Sequence, residues 1–293
     1  MSARAKWVAV LKRTGQEFLA DNCMGLAKQI AYSSLLAFFP AVVALVGLLD
    51  LVNAYDSLIR LLSPVAPKAV TTMIRSFQHD TGSSGSVIAL VLGVAGAVWA
   101  ASGAMGTIVE AVNRAYDRVE TRPFWKVRIV SIVLVIASGI VVGGTLILIV
   151  LGGTLGDAIS RRASLGGAFT WLWNVARWPL AFVAVLLFFA LIYYLAPDLE
   201  HRSWKWITPG SVVGGVMWLA LSGLFALYTS FSNSYTKTYG TLAGGIVLLL
   251  WLNYSAWAIL FGAELNSELD RQADIDAAGG PNAGLIKPAR RAA

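Results

Sequence analysis

Charged residues divide this chain into long apolar blocks. Six stretches, 29–49, 81–109, 129–156, 178–197, 206–236 and 238–263, contain no Asp, Glu, Lys or Arg. A helix needs about 20 residues to cross the hydrocarbon of a bilayer. A charge at the bilayer centre costs about 2.5–3.5 kcal/mol on insertion scales, so each block is cleared as lipid demands. Apolar residues run continuously instead of alternating, which selects helices over strands, and a helix satisfies its own backbone in lipid. The expected fold is an all-α membrane protein, a bundle of six transmembrane helices near 29–49, 87–110, 129–151, 178–197, 207–230 and 241–263. Residues 1–270 form one membrane domain, followed by a disordered cytoplasmic tail over 271–293.

Polar patterning adds three segments. Trp7, Leu11, Phe18 and Leu19 fall on one face of a helix over 4–23, which reads as an interfacial amphipathic helix. Residues 50–80 carry a pair of short amphipathic helices broken at Ser63-Pro64-Val65-Ala66-Pro67, placed on the outer face. Residues 157–176 form a second outer segment with an aromatic end.

Composition agrees: 57% of the 293 residues are hydrophobic and 13% charged, against about 25% charged in soluble domains. The net charge of +7 does not point to nucleic acid once its placement is considered. With the N-terminus inside, 16 of the 23 Lys and Arg lie in cytoplasmic segments. That bias predicts N-in, C-in topology and contact with anionic lipid headgroups. One cysteine, Cys23, allows no intrachain disulfide and reads as incidental. His79 and His201 lie on opposite sides, so no metal site is expected, and no cofactor. The basic start lacks an h-region with a cleavage site and is not read as a cleaved signal.

The polar residues in and beside the spans carry the candidate chemistry. Tyr32, Ser34 and Pro40 mark the first span, with a kink expected at Pro40. Gly93, Gly96, Gly103 and Gly106 in the second span form a packing seam, within one chain or between copies in a homo-oligomer. Glu110 and Arg114 stand four apart and could pair. The segment 113–126 places Asn113, Arg114, Tyr116, Arg122, Trp125 and Lys126 in a basic, aromatic turn at headgroup level. Such a turn either holds phosphate or anchors topology. Tyr235, Lys237 and Tyr239 form a candidate outer gate. Asn253, Trp257 and Glu264 share one face of the sixth span, with Glu264 read as a water-exposed carboxylate at its end.

Taken together, Ala31-Tyr32-Ser33-Ser34-Leu35-Leu36 with Phe39-Pro40, Asn113-Arg114-Ala115-Tyr116, Thr121-Arg122-Pro123-Phe124-Trp125-Lys126, Pro209-Gly210, Tyr235 with Lys237-Thr238-Tyr239-Gly240, and Gly262-Ala263-Glu264-Leu265-Asn266 resemble the YihY/BrkB family of bacterial inner-membrane proteins. The matching pieces run in family order over 15–270; Thr236 stands where the family more often has Asn. The resemblance implies a six-span inner-membrane protein connected with envelope integrity and with lipid or lipid-like transport. It also brings an older ribonuclease label, for which the sequence offers no cluster of metal ligands. The expectation is a non-enzymatic transporter or handler of an anionic amphiphile. Arg114, Arg122 and Lys126 would hold its headgroup, and Tyr32, Ser34, Pro40, Asn253, Trp257 and Glu264 would line a groove. The competing classes are a scaffold that recruits envelope proteins and a membrane-bound nuclease or hydrolase.

Overall fold

A computed structural model describes residues 3–51, 86–146, 148–149, 152–163, 166–199, 206–231 and 242–277. Of the outer helix pair expected over 50–80, residues 52–80 lie outside the described residues, as do the gate residues Tyr235, Lys237 and Tyr239 and 278–293; residues 50 and 51 instead end the helix Cys23–Leu51.

All regular secondary structure among the described residues is helical. The helices are α1 (Ala3–Ala20), α2 (Cys23–Leu51), α3 (Ser86–Ala115), α4 (Phe124–Leu146), α5 (Gly152–Ala163), α6 (Gly166–Leu195), α7 (Pro209–Phe231) and α8 (Leu242–Ala277). Five stretches among the described residues are long and apolar enough to cross a membrane: Gly93–Ala115, Phe124–Thr145, Gly166–Leu195, Pro209–Thr229 and Gly244–Asp276. Helix α2, 29 residues long, covers the block expected as the first span.

Two boundaries differ most from the sequence reading. The fourth span was expected at 178–197, but its helix starts at Gly166 and continues through Arg177 and Pro179. Arg177 does not end it because the guanidinium folds back over Gly152 and Gly153 of α5. Trp173 donates to the Gly152 carbonyl at 2.6 Å beside it. At the other end, 271–277 are helical instead of disordered. Arg271 pairs with Glu268 at 3.1 Å, and the Gln272 amide donates to Asp276 at 3.1 Å; both are one-turn contacts that extend a helix.

Turns are closed by local chemistry. Asn22 takes φ 54° after α1, and Asp117 takes φ 52° after α3, the left-handed conformation that short polar residues tolerate. At Asp117 the cap is a Schellman pair: Arg118 N–H donates to the Asn113 carbonyl at 2.8 Å and Asp117 N–H to that of Arg114 at 3.0 Å. Helix α7 opens with a reciprocal box. Thr208 Oγ1 accepts from Ser211 N–H, and Ser211 Oγ from Thr208 N–H, both at 3.0 Å.

The core gathers where α2, α3, α4, α6 and α8 meet, around Ile30, Val109, Val112, Leu134, Ile192 and Leu260. Helix α1 packs beneath the end of α8 through Phe18, whose ring lies 5.9 Å from that of Phe261. The buried face of α1 is Val10, Thr14 and Phe18, whereas Trp7, Leu11 and Leu19 are exposed. Of the expected face, only Phe18 therefore points inward. In the small-residue seam of α3, Ala97 and Ala104 are buried, while Gly106 lies beside Ser131 of α4.

Among the described glycines, the tightest approach to another backbone joins α7 to α8. A Cβ on Gly210 would collide with the carbonyl oxygen of Gly262, and one on Gly262 with the Tyr193 hydroxyl and the Gly210 carbonyl. Small residues of this kind let backbones meet in a membrane. Gly262→Leu should lower stability by about 1–3 kcal/mol or more, as overpacking does. Thermal unfolding of the detergent-purified protein checks this; an unchanged midpoint would contradict the crossing.

Candidate functional site

The segment 113–123 folds into a closed polar network. Asn113 is buried, and each end of its amide is used: Nδ2 donates to Glu120 Oε2 at 2.8 Å, and Oδ1 accepts from Asp198 N–H at 2.7 Å. Arg122 sits at the centre. Its Nε and Nη2 grip the two Glu120 oxygens at 2.7 and 2.6 Å. Its Nη1 and Nη2 donate to the carbonyls of Leu195 and Ala196 at 3.1 and 2.7 Å. Asp198 Oδ1 lies 3.7 Å from Nε, and Asp198 Oδ2 accepts from both N–H and Oγ1 of Thr121. The guanidinium therefore caps the open carbonyls at the end of α6 and ties that end to the α3–α4 turn. Burial would raise the Glu120 carboxyl, but the Arg122 hydrogen bonds outweigh it and hold the group below its ordinary value of 4.5.

This divides the six residues expected to contact a headgroup. Asn113, Tyr116 and Arg122 face into the protein, whereas Arg114, Trp125 and Lys126 are exposed. Tyr116 reaches Asn266 of α8, and burial pushes its phenol up despite that bond. Lys126 lies 5.3 Å from the Trp125 ring centroid, and Phe124 is exposed beside them. Glu110 and Arg114, both exposed, form no ion pair with each other.

The expected groove residues separate in the same way. Tyr32 is exposed and Ser34 half-buried on α2, and Pro40 lies inside that helix. Ser33, beside them, accepts from Thr107 Oγ1 of α3 at 3.2 Å. Glu264 corrects the expectation of a water-exposed carboxylate. It is 2% exposed, because α1 and the start of α2 pack under the end of α8, and the Cys23 thiol donates to it at 3.4 Å. Cys23, read as incidental, is thus a buried partner across 241 residues of chain. Asn253 Oδ1 and Trp257 Nε1 are buried with no hydrogen-bond partner, although neighbouring polar groups are matched: Ser255 accepts from Trp218 at 3.0 Å, and Ser222 from Trp251 at 3.1 Å.

Sequence reasoning missed the Asn266 bridge. Its Oδ1 accepts from Gly210 N–H at 2.9 Å, and its Nδ2 donates to Thr208 Oγ1 at 3.1 Å. It also missed Glu120 and Asp198, the carboxylates that occupy Arg122. The one available signal was Pro209-Gly210 and Asn266 falling among the specific motif pieces. Among the described residues no group of three or more His, Cys, Asp or Glu stands together as a metal site.

These features define a helical membrane protein with a polar tie at one end of its bundle. The chain matches the family described as Virulence factor BrkB over residues 14–285 and belongs to that family. It is 30% identical over 266 residues to the putative ribonuclease-like protein YfkH of Bacillus subtilis, covering 90% of this chain and 96% of that one. It is 24% identical to the UPF0761 membrane protein azo3165 of Azoarcus over 88% of this chain, and 25% identical to Smlt0865 of Stenotrophomonas maltophilia over 91%. The chain spans 63% and 62% of the length of those two UPF0761 proteins. No solved structure matches the chain.

Arg122→Gln removes the partner of two carboxylates and uncaps α6. Losing one side of a buried ion pair costs about 3–5 kcal/mol, and the partial exposure of Glu120 places the expected loss near the lower bound. Lysine should not rescue it, because one ammonium cannot reproduce the fork. Since the Glu120 carboxyl is depressed in the folded state, its stabilisation is present above the ordinary carboxylate value and lost as pH falls through the folded one. A pH series of melting midpoints should fall on acidification below about 4.5 in the wild type, and less steeply in Glu120→Gln. Parallel curves would contradict the linkage.

Proposed function

We propose that this BrkB-family membrane protein moves or handles an anionic amphiphile, a lipid or lipid-like molecule, in the bacterial inner membrane. It would do so through six spans, with α2 the first and both termini cytoplasmic. The observation that carries this reading is the Asn253–Trp257 pair. An acceptor and a donor stand one turn apart inside a spanning helix with no partner. Polar groups at that depth are expensive and usually functional; a plain anchor would bury alkyl side chains instead. They suit the mixed donor and acceptor edge of an ester or glycerol group.

Arg114, Trp125 and Lys126, exposed on the turn that Arg122 holds, would meet the headgroup as an amphipathic cationic rim. Arg122 itself would act by positioning that rim, since its donors are engaged within the protein. On this reading the chain is not an enzyme, uses no cofactor and binds no nucleic acid, and the ribonuclease-like name of YfkH does not transfer to it. The exposed N-terminal residues Trp7, Leu11 and Leu19 suit the lipid interface. An envelope scaffold, self-associated or holding partner proteins, is the alternative class.

Reconstitution into liposomes decides between them. Wild-type protein should accelerate movement of an anionic lipid between leaflets. Asn253→Leu and Trp257→Phe should each slow it about tenfold, the worth of one hydrogen bond of about 1.4 kcal/mol. Arg114→Ala with Lys126→Ala should raise the lipid concentration required. Wild-type vesicles no faster than empty ones would remove the transport reading and leave the scaffold.

A further inference from the structure

We infer that Arg128, with Trp99 and Gly103, forms a binding site for the phosphate of an anionic phospholipid on the lipid-facing seam between α3 and α4. Arg128 is the fifth residue of the spanning stretch Phe124–Thr145. A long basic side chain in that place ordinarily snorkels towards the nearer headgroups, and a helical side chain leans towards its own N-terminus. Arg128 does the reverse. Ser131, farther along α4, faces Gly106. The guanidinium passes that level, away from the 116–123 turn, to reach Gly103 and Trp99.

Its contacts there leave the charge unanswered. Nη2 donates to the Trp99 carbonyl at 3.0 Å, which also accepts from Ser102 Oγ at 2.8 Å. The guanidinium carbon lies 3.8 Å from the centroid of the Trp99 ring, a cation–π contact that orients the group without neutralising it. Nη1 would lie 3.7 Å from a Cβ on Gly103, so the missing side chain leaves that donor uncovered. Nε is buried with no hydrogen-bond partner. Among the described residues no carboxylate stands within ion-pair distance of Arg128.

The surroundings choose the ligand. Trp99 and Gly103 are exposed on α3, and Ile129, Val133, Ile136 and Ile140 form an exposed apolar stripe on α4. An uncompensated guanidinium in an apolar setting favours an anion that can accept from its fork. An occupant that also covers the stripe must carry acyl chains. A phospholipid with a net negative headgroup meets both needs; free phosphate meets only the first. The site would lie farther into the membrane than the Arg114–Lys126 rim and give the headgroup its next cationic contact. In that respect it rests on the proposed function, although binding does not require movement between leaflets.

The test uses the full-length protein in nanodiscs of phosphatidylcholine, with a small fraction of either phosphatidylglycerol or phosphatidylcholine carrying brominated chains. Trp99 emission is taken as the difference between wild type and Trp99→Phe. Brominated phosphatidylglycerol should quench it more than brominated phosphatidylcholine at equal fraction. That excess should be lost in Arg128→Gln, which removes the charge. It should also be lost in Gly103→Leu, which keeps the charge and covers Nη1 from an exposed position. Equal quenching by the two lipids in wild type, or an excess surviving in either variant, would overturn the site. Removal of the excess by millimolar inorganic phosphate would also overturn it, by assigning the site to a free anion. Selective quenching without lipid movement in liposomes would leave the site standing and remove the transport reading. Movement without selective quenching would do the opposite.

Discussion

The Arg122 guanidinium holds together segments that the chain alone would leave apart. Four of its donors are spent on Glu120 and on the carbonyls of Leu195 and Ala196, while Asp198 approaches its edge. Helix ends carry open carbonyls that need partners. Here one fork caps α6, and Asn113 closes the circuit by bonding both Glu120 and the backbone of Asp198. The cost of withdrawing a cation from water is offset because its donors meet ionised or carbonyl oxygens in good geometry. The 113–126 turn is thereby held with Arg114, Trp125 and Lys126 facing outward.

A second constraint is steric. The crossing of Gly210 over Gly262 places the start of α7 against α8 with no side chain between. Asn266 then reads the backbone of that start through one amide. The end of α8 beyond this crossing carries Glu264, covered by α1 and bonded by Cys23. The same helix thus serves two purposes. Its end is fully matched and locks the bundle, whereas Asn253 and Trp257, farther back, keep unmatched polar atoms. That contrast, more than the number of polar residues, separates structure from candidate function along α8.

Some of this was legible in the residues. Blocks free of charge marked the spanning helices because the hydrocarbon penalises each charge individually, whatever the neighbours are. Arg122-Pro123 marked a turn for an equally local reason, the restriction that proline places on the residue before it. The fourth span began earlier than its charge boundary because Arg177 folds back over Gly152 and Gly153, a tertiary contact that no window along the chain contains. Helix α8 ran past its expected end for a short-range reason, the Glu268–Arg271 and Gln272–Asp276 contacts.

The sequence by itself determined that this is a membrane protein of long apolar helices, and the family it resembles. Each of these depends on local composition or on short motifs. Only the tertiary structure decided what the polar residues do. Arg114 and Arg122 are eight positions apart in one basic segment, yet one is exposed and the other closes a buried network. Glu264 read as the wet end of a helix and is covered by a segment 241 residues away. The hydrocarbon penalises a charge at its centre, so the long apolar blocks can be read from the sequence. A hydrogen bond depends on a partner's position in space, so which charges are spent and which remain available required the folded bundle.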